Sequence, residues 1–195
     1  MFWPIIGRVK SLDAAILSGL VALACAIVPP AAADQNDGRL AGLFDQLQGA
    51  DGRAEATATE AAIWHIWVEH DDRAIALLMQ KGVAAMNRGD RRGALGDFDQ
   101  IVQIAPDFAE GWNKRATVRY LLGQFRESLD DIERTLALEP RHFGALAGRG
   151  LVYFALDDLP RALESFEAAL AVNPHMHGVR SNAEAIRQAL KDREI

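Results

Sequence analysis

From Arg39 onward, apolar residues recur every three or four positions between brief polar breaks, the pattern of amphipathic helices packed side by side. Leu40, Leu43, Phe44 and Leu47 share one face of a first short helix that ends near Gly49, and Asp51-Gly52 is a turn signal. A second helix is expected from about Arg53 to Glu69, with Ile63, Trp64, Ile66 and Trp67 concentrated near its end. Asp71 or Asp72 is placed to cap the helix that follows. Further helices are predicted over 73–87, 91–104, 108–121, 125–138, 142–155 and 159–172. Pro160 falls in the first turn of the last of these, where its missing donor costs nothing. Beyond Pro174, Val179, Ala183, Ile186 and Leu190 form one stripe, opposed by Arg180, Glu184, Arg187 and Lys191. Such a half-charged helix suits the end of an array, which needs a polar outer face.

The helices come in a register. Pro106, Pro140 and Pro174 are spaced 34 residues apart, and three windows aligned on them, Ile75–Pro106, Ala109–Pro140 and Phe143–Pro174, share further positions. The eighth position is small (Gly82, Ala116, Gly150), as is the twentieth (Ala94, Ser128, Ala162), and the twenty-fourth is large (Phe98, Ile132, Phe166). Gly89, Gly123 and Asp157 mark the turn inside each window. Two antiparallel helices approach closely only where both carry small side chains, and a large residue fills the space where they diverge. Proline then ends the second helix of each pair.

In these positions the chain resembles the tetratricopeptide repeat family over about Ile75 to Ala189, with Trp112 at the family's fourth repeat position and Tyr153 at its eleventh. It departs from the pattern at Leu78, where tryptophan is usual, and at Lys81, Arg115 and Arg149, which replace the usual leucine. The resemblance implies an all-α, right-handed superhelical solenoid of antiparallel helix pairs. The expected organisation is a signal peptide over 1–33, a degenerate N-terminal helical pair over 34–72, three repeats over 73–174 and a capping helix over 175–195. The pair is expected to cover the N-terminal face of the array. The basic ladder Lys81, Arg115, Arg149 reads as structural, each head pairing with a residue sixteen positions on: Asp97, Asp131 and, breaking the acidic series, Ser165.

The N-terminus suggests an address. Arg8 and Lys10 precede an uncharged apolar run, Ala14–Val28, broken by Pro29-Pro30 and followed by Ala31-Ala32-Ala33. A positive start, a short apolar core and a small-residue exit describe a secretory signal cleaved after Ala33. The run is shorter than the roughly 20 apolar residues of a spanning helix. An uncleaved segment would tether the repeats to the inner membrane, and Ala22-Leu23-Ala24-Cys25 loosely fits a lipoprotein signal with lipid on Cys25. The expected location is therefore the periplasm, with membrane association only in those two cases.

Composition narrows the chemistry. The chain carries 21 basic and 27 acidic residues. Without residues 1–33 the counts are 19 and 26, a net charge of −7. That acidity argues against nucleic acid, which selects a basic stripe. The sole cysteine, Cys25, lies within the signal, so the cleaved chain has neither disulfide nor thiol chemistry. There is no H-E-x-x-H, Gly-Lys-Ser/Thr phosphate loop or G-x-S-x-G. His175 and His177 invite an alternative reading as a metal-binding accessory, although two histidines make an incomplete metal site. No cofactor is expected and no catalysis.

The resemblance implies instead that the first helix of each repeat lines a concave groove. Mapped onto this chain, that groove presents Met79, Val83, Met86 and Asn87, then Asn113, Thr117, Tyr120 and Leu121, then Ala147, Leu151, Phe154 and Ala155. The face is mainly apolar and suits an amphipathic or extended apolar segment of a protein partner. The function expected is a non-catalytic protein-interaction adaptor of the cell envelope, with a membrane-tethered assembly factor as an alternative. The rival occupant of the groove is the chain's own Leu40–Leu47 helix.

Overall fold

The computed structural model describes residues 34–193; the expected signal segment lies outside them. All regular structure among the described residues is helical. An N-terminal hairpin, α1 (Arg39–Gly49) and α2 (Arg53–Val68), precedes three pairs: α3 (Arg73–Asn87) with α4 (Arg91–Ile104), α5 (Ala109–Leu121) with α6 (Phe125–Leu138), and α7 (Phe143–Ala155) with α8 (Leu159–Val172). A final helix, α9 (His177–Arg193), packs on α8. The six paired helices begin and end within one residue of the positions expected from the sequence. No described helix is long and apolar enough to cross a membrane.

Each pair is built on the small-against-large device. A Cβ on Gly82 would lie 2.7 Å from the Phe98 ring, and one on Gly150 would lie 2.5 Å from Phe166. In the middle pair the glycine is Ala116, and the residue filling the same core is the smaller Ile132. The turns follow suit: Gly89 and Gly123 take φ of 79° and 75°, and Asp157 takes 58°. Aspartate is among the few side-chain-bearing residues that enter this left-handed region readily. Asp72, Asp90 and Asp158 cap α3, α4 and α8 through side-chain oxygens that accept early backbone N–H groups.

The basic ladder is structural. Lys81 donates to Asp97 at 2.6 Å, Arg115 holds Asp131 in a fork at 2.9 and 2.7 Å, and Arg149 donates to Ser165 at 3.2 Å. Two rungs also cross between repeats, because Arg115 reaches Asp99 at 2.9 Å and Arg149 reaches Glu133 at 3.5 Å. Asp131 is buried, with its side chain 2% exposed. Its pairing with Arg115 therefore belongs to the interior, where a lone charge is strongly disfavoured.

The hairpin departs from expectation. It does not cover the N-terminal face of the array, where Leu77 of α3 remains 56% exposed. It runs instead along the row of loops between repeats. Gln35 pairs with the loop before α5, donating to the Asp107 carbonyl at 2.6 Å and accepting from Ala109 N at 3.1 Å. At the other end Gln48 donates to the Ala171 carbonyl, Asn173 donates to Glu60, and His175 lies 2.9 Å from the Leu47 carbonyl. Between these ties Leu40, Phe44, Leu47, Ile63, Ile66 and Trp67 close a core with Phe143 of α7. The reason is one of shape: the aromatic end of α2 needs a flat seat, and α7 supplies it at Gly144.

Candidate protein-binding groove

The inner face of the array is formed by the first helices, with α5 and α7 in direct contact along it. The second position of each repeat window differs: Ala76, Glu110 and Gly144. Only glycine leaves room there. A Cβ on Gly144 would lie 2.5 Å from Trp64 Cη2, so the indole rests against bare backbone. Lys114 of α5 lies 5.2 Å from the same ring, a cation–π contact.

Beneath the indoles lies a buried polar cluster. Trp67 stacks on His142 at 4.1 Å with an interplanar angle of 11°, and Trp64 meets His142 edge-on at 5.5 Å. His142 is the N-cap of α7, its Nδ1 accepting from Ala145 N. That bond leaves the proton on Nε2, which donates to Glu110 Oε2 at 2.9 Å. Asn113 donates to the same oxygen at 2.9 Å, and Lys114 Nζ lies 2.8 Å from Oε1. Burial alone would raise the Glu110 carboxyl, but the Lys114 charge and the His142 bond outweigh it and hold it below the ordinary value of 4.5.

A group whose folded value lies below its unfolded one contributes stability above the unfolded value and loses it as pH falls through the folded value. Acidification well below 4.5 is therefore expected to loosen this cluster and the Trp67 stacked on it. Hydrogen exchange along α2 should accelerate in acid for the wild type, and Glu110→Gln should flatten that dependence. Equal acid sensitivity in both proteins would remove Glu110 as the cause.

The residues expected to line the groove divide. Met79 is 3% exposed and belongs to the α3–α4 core, and Asn113 is 6% exposed and bound to Glu110, so neither presents a free surface. Both are corrections, and the causes differ: Met79 packs into the α3–α4 core while also bordering the cleft beside α2, and Asn113 is held by Glu110 one turn earlier in α5. Val83 borders a cleft of about 620 Å³ between α2, α3 and α5. Met86 packs partly against the α3–α4 core, and Asn87 is exposed at the end of α3. Thr117, Tyr120 and Leu151 border a space of about 310 Å³ beside Trp64, which also touches Asn113 and Ala147. Tyr120, Leu151 and Phe154 come together in an apolar cleft of about 470 Å³, whose far wall is α9 through Asn182, Ala185, Ile186 and Ala189. There Phe154 is 55% and Leu151 36% exposed, with Leu121 41% exposed further along α5. Ala155 is exposed at the end of α7.

The groove is thus partly self-occupied, by Trp64 of α2 and not by the Leu40–Leu47 helix considered as its rival occupant. A sequence signal for this existed: the residues just before the inner helices, Phe108, His142 and Met176, fall one period apart. All three meet the hairpin or its linker, Phe108 against His70, His142 against Trp67, and Met176 against the α1–α2 core. Among the described residues no three His, Cys, Asp or Glu side chains gather to hold a metal ion, and one nitrogen of His175 is engaged by Leu47.

Comparison with known proteins agrees with this architecture. Residues 143–176 match the family model described as tetratricopeptide repeat. A TPR repeat-containing protein of Rhizobium etli is 33% identical over 46% of this chain, and the chain spans 44% of that relative's length. Among solved structures, the first TPR of Spaghetti (RPAP3) bound to the HSP90 peptide SRMEEVD superposes with a TM-score of 0.60 at 24% identity. That likeness covers 62% of this chain and 96% of the other. MamA gives a TM-score of 0.58 at 18% identity, covering 82% and 86%. In the motif of residues 143–176 and in the fold of its described residues, the chain is similar to tetratricopeptide-repeat proteins.

Proposed function

We propose that the protein is a non-catalytic adaptor of the cell envelope that grips an apolar or amphipathic segment of a partner protein in the cleft between α5, α7 and α9. The observation that carries this reading is the exposure of Leu151 and Phe154 on an inner helix, facing Tyr120 and the apolar wall of α9. Helix-in-groove recognition uses such a surface, with a few aromatic anchors supplying most of the affinity. RPAP3 binds its HSP90 peptide through the same fold, and peptide binding comes to this chain by that analogy. The partner chemistry differs, because the peptide's EEVD end is acidic. Here Asn113 and Lys114, two polar groups of the central inner helix, are both turned to Glu110.

The envelope address rests on the signal-like residues 1–33. Intact mass of the protein from a periplasmic extract should correspond to a chain beginning at Asp34; a retained or lipidated N-terminus would favour the tethered alternative. The groove reading is tested by affinity capture from envelope extracts with the wild type and a Tyr120→Ala, Leu151→Glu, Phe154→Ala variant shown by circular dichroism to fold. The variant should lose at least about tenfold in partner retention, the scale of one lost anchor. Equal retention would move the site elsewhere on the molecule.

A further inference from the structure

The α1–α2 hairpin is held as a ligand is held. Its second helix does not extend the array by stacking on α3; a cleft of about 620 Å³ lies between α2 and α3, with Lys114 of α5 on its wall. On its other side about 310 Å³ remains open beside Trp64. Between these spaces two side chains three residues apart fit the array most closely, Trp64 on Gly144 and Trp67 on His142, and Phe143 joins the hairpin core beside them. It is also imperfect. Trp67 is 1% exposed, yet its Nε1–H has no acceptor, and an unpaired buried donor destabilises the docked state relative to any arrangement that satisfies it. Of the polar ties along the loops, those of Gln35 and Gln48 to backbone carbonyls are exposed to competing water. Neither end of α2 is closed by a side-chain cap, and residues 69–72 form a short non-helical hinge to α3.

We propose that α2 is a displaceable internal ligand. It closes the first-turn part of the groove in the resting chain, and what replaces it is a partner's amphipathic helix carrying two aromatic side chains three residues apart. The occupant's chemistry is taken from the one already seated: an indole against the bare backbone of Gly144 beside Lys114, and a second ring over His142. This deepens the adaptor reading and rests on it for the existence of a partner. Binding in trans then requires the hairpin to lift, so apparent affinity scales with the fraction of molecules in which it has lifted.

The probe is a labelled synthetic peptide of residues 53–69, titrated against the full chain. Wild type should bind it weakly, and Trp64→Ala, which removes the wedge in cis, should bind at least about tenfold more tightly. Adding Gly144→Leu to Trp64→Ala fills the seat and should abolish the gain. If Trp64→Ala does not fold, Gln35→Ala with Gln48→Ala cuts the loop ties without touching the core and should give a gain in the same direction. Equal binding by wild type and released variants, or no binding by the released ones, overturns the inference. A gain lost with Phe154→Ala but kept with Gly144→Leu would place the peptide in the open cleft beside α9. That result overturns the internal-ligand inference and leaves the adaptor reading standing.

Discussion

Replacing Trp67 by alanine is expected to release the α1–α2 hairpin while α3 to α9 remain folded. Trp67 is the pivot of the aromatic cluster, stacked on His142 at 4.1 Å and packed on Phe143 at 5.0 Å, Trp64 at 5.3 Å and Phe44 at 6.0 Å. Truncating a fully buried aromatic residue costs about 3–5 kcal/mol. The loss the array feels is limited, because beyond the docking free energy of the hairpin the hairpin simply leaves. His142 keeps its bonds to Ala145 N and Glu110, so α7 retains its cap. Hydrogen exchange should show amides of α1 and α2 losing protection while those of α4, α6 and α8 keep theirs. Uniform loss across all helices would show that the hairpin and the array unfold as one unit.

The second large effect lies inside a repeat. Gly150→Ala should lower stability by about 1–3 kcal/mol, as overpacking does in a core that has no room to shift. The added Cβ would meet the Phe166 ring at 2.5 Å, and Phe166 is 1% exposed. The remedy is written in the neighbouring repeat, where alanine at this position, Ala116, accompanies Ile132. Phe166→Ile should therefore recover part of the loss when combined with Gly150→Ala, although alone it leaves a void. A double-mutant cycle of melting temperatures measures the coupling. Simple additivity would mean that the two positions do not share space.

How far the chain could be read depended on the range of each interaction. The six paired helices were legible because their determinants are local: caps such as Asp90 and Asp158, turn residues at Gly89, Gly123 and Asp157, and prolines after each second helix. The ladder was legible too, since Arg115 and Asp131 stand at fixed repeat positions and meet through the antiparallel packing of α5 and α6. The inner face was legible only as a set of positions. Which of them remain open, Leu151 and Phe154, and which are covered, Asn113 and Met79, depended on what packs over them.

By itself, then, the sequence determined an all-helical array of period 34, the partners inside each helix pair and the helix that closes the C-terminal end. A periodic chain makes the same contacts in each repeat, and such contacts repeat in the sequence as well. Only the tertiary structure decided where the hairpin rests. Trp64 and Trp67 carry enough apolar surface to favour several faces of the solenoid, and burial energy is not directional. The choice was made by shape and polarity far along the chain: the missing side chain at Gly144, the imidazole of His142 fixed by its cap and by Glu110, and the loop groups that bind Gln35, Gln48 and Glu60. Apart from the one-period spacing of His142 with Phe108 and Met176, none of these marks itself in the sequence, because each acquires its meaning only when the repeats have stacked.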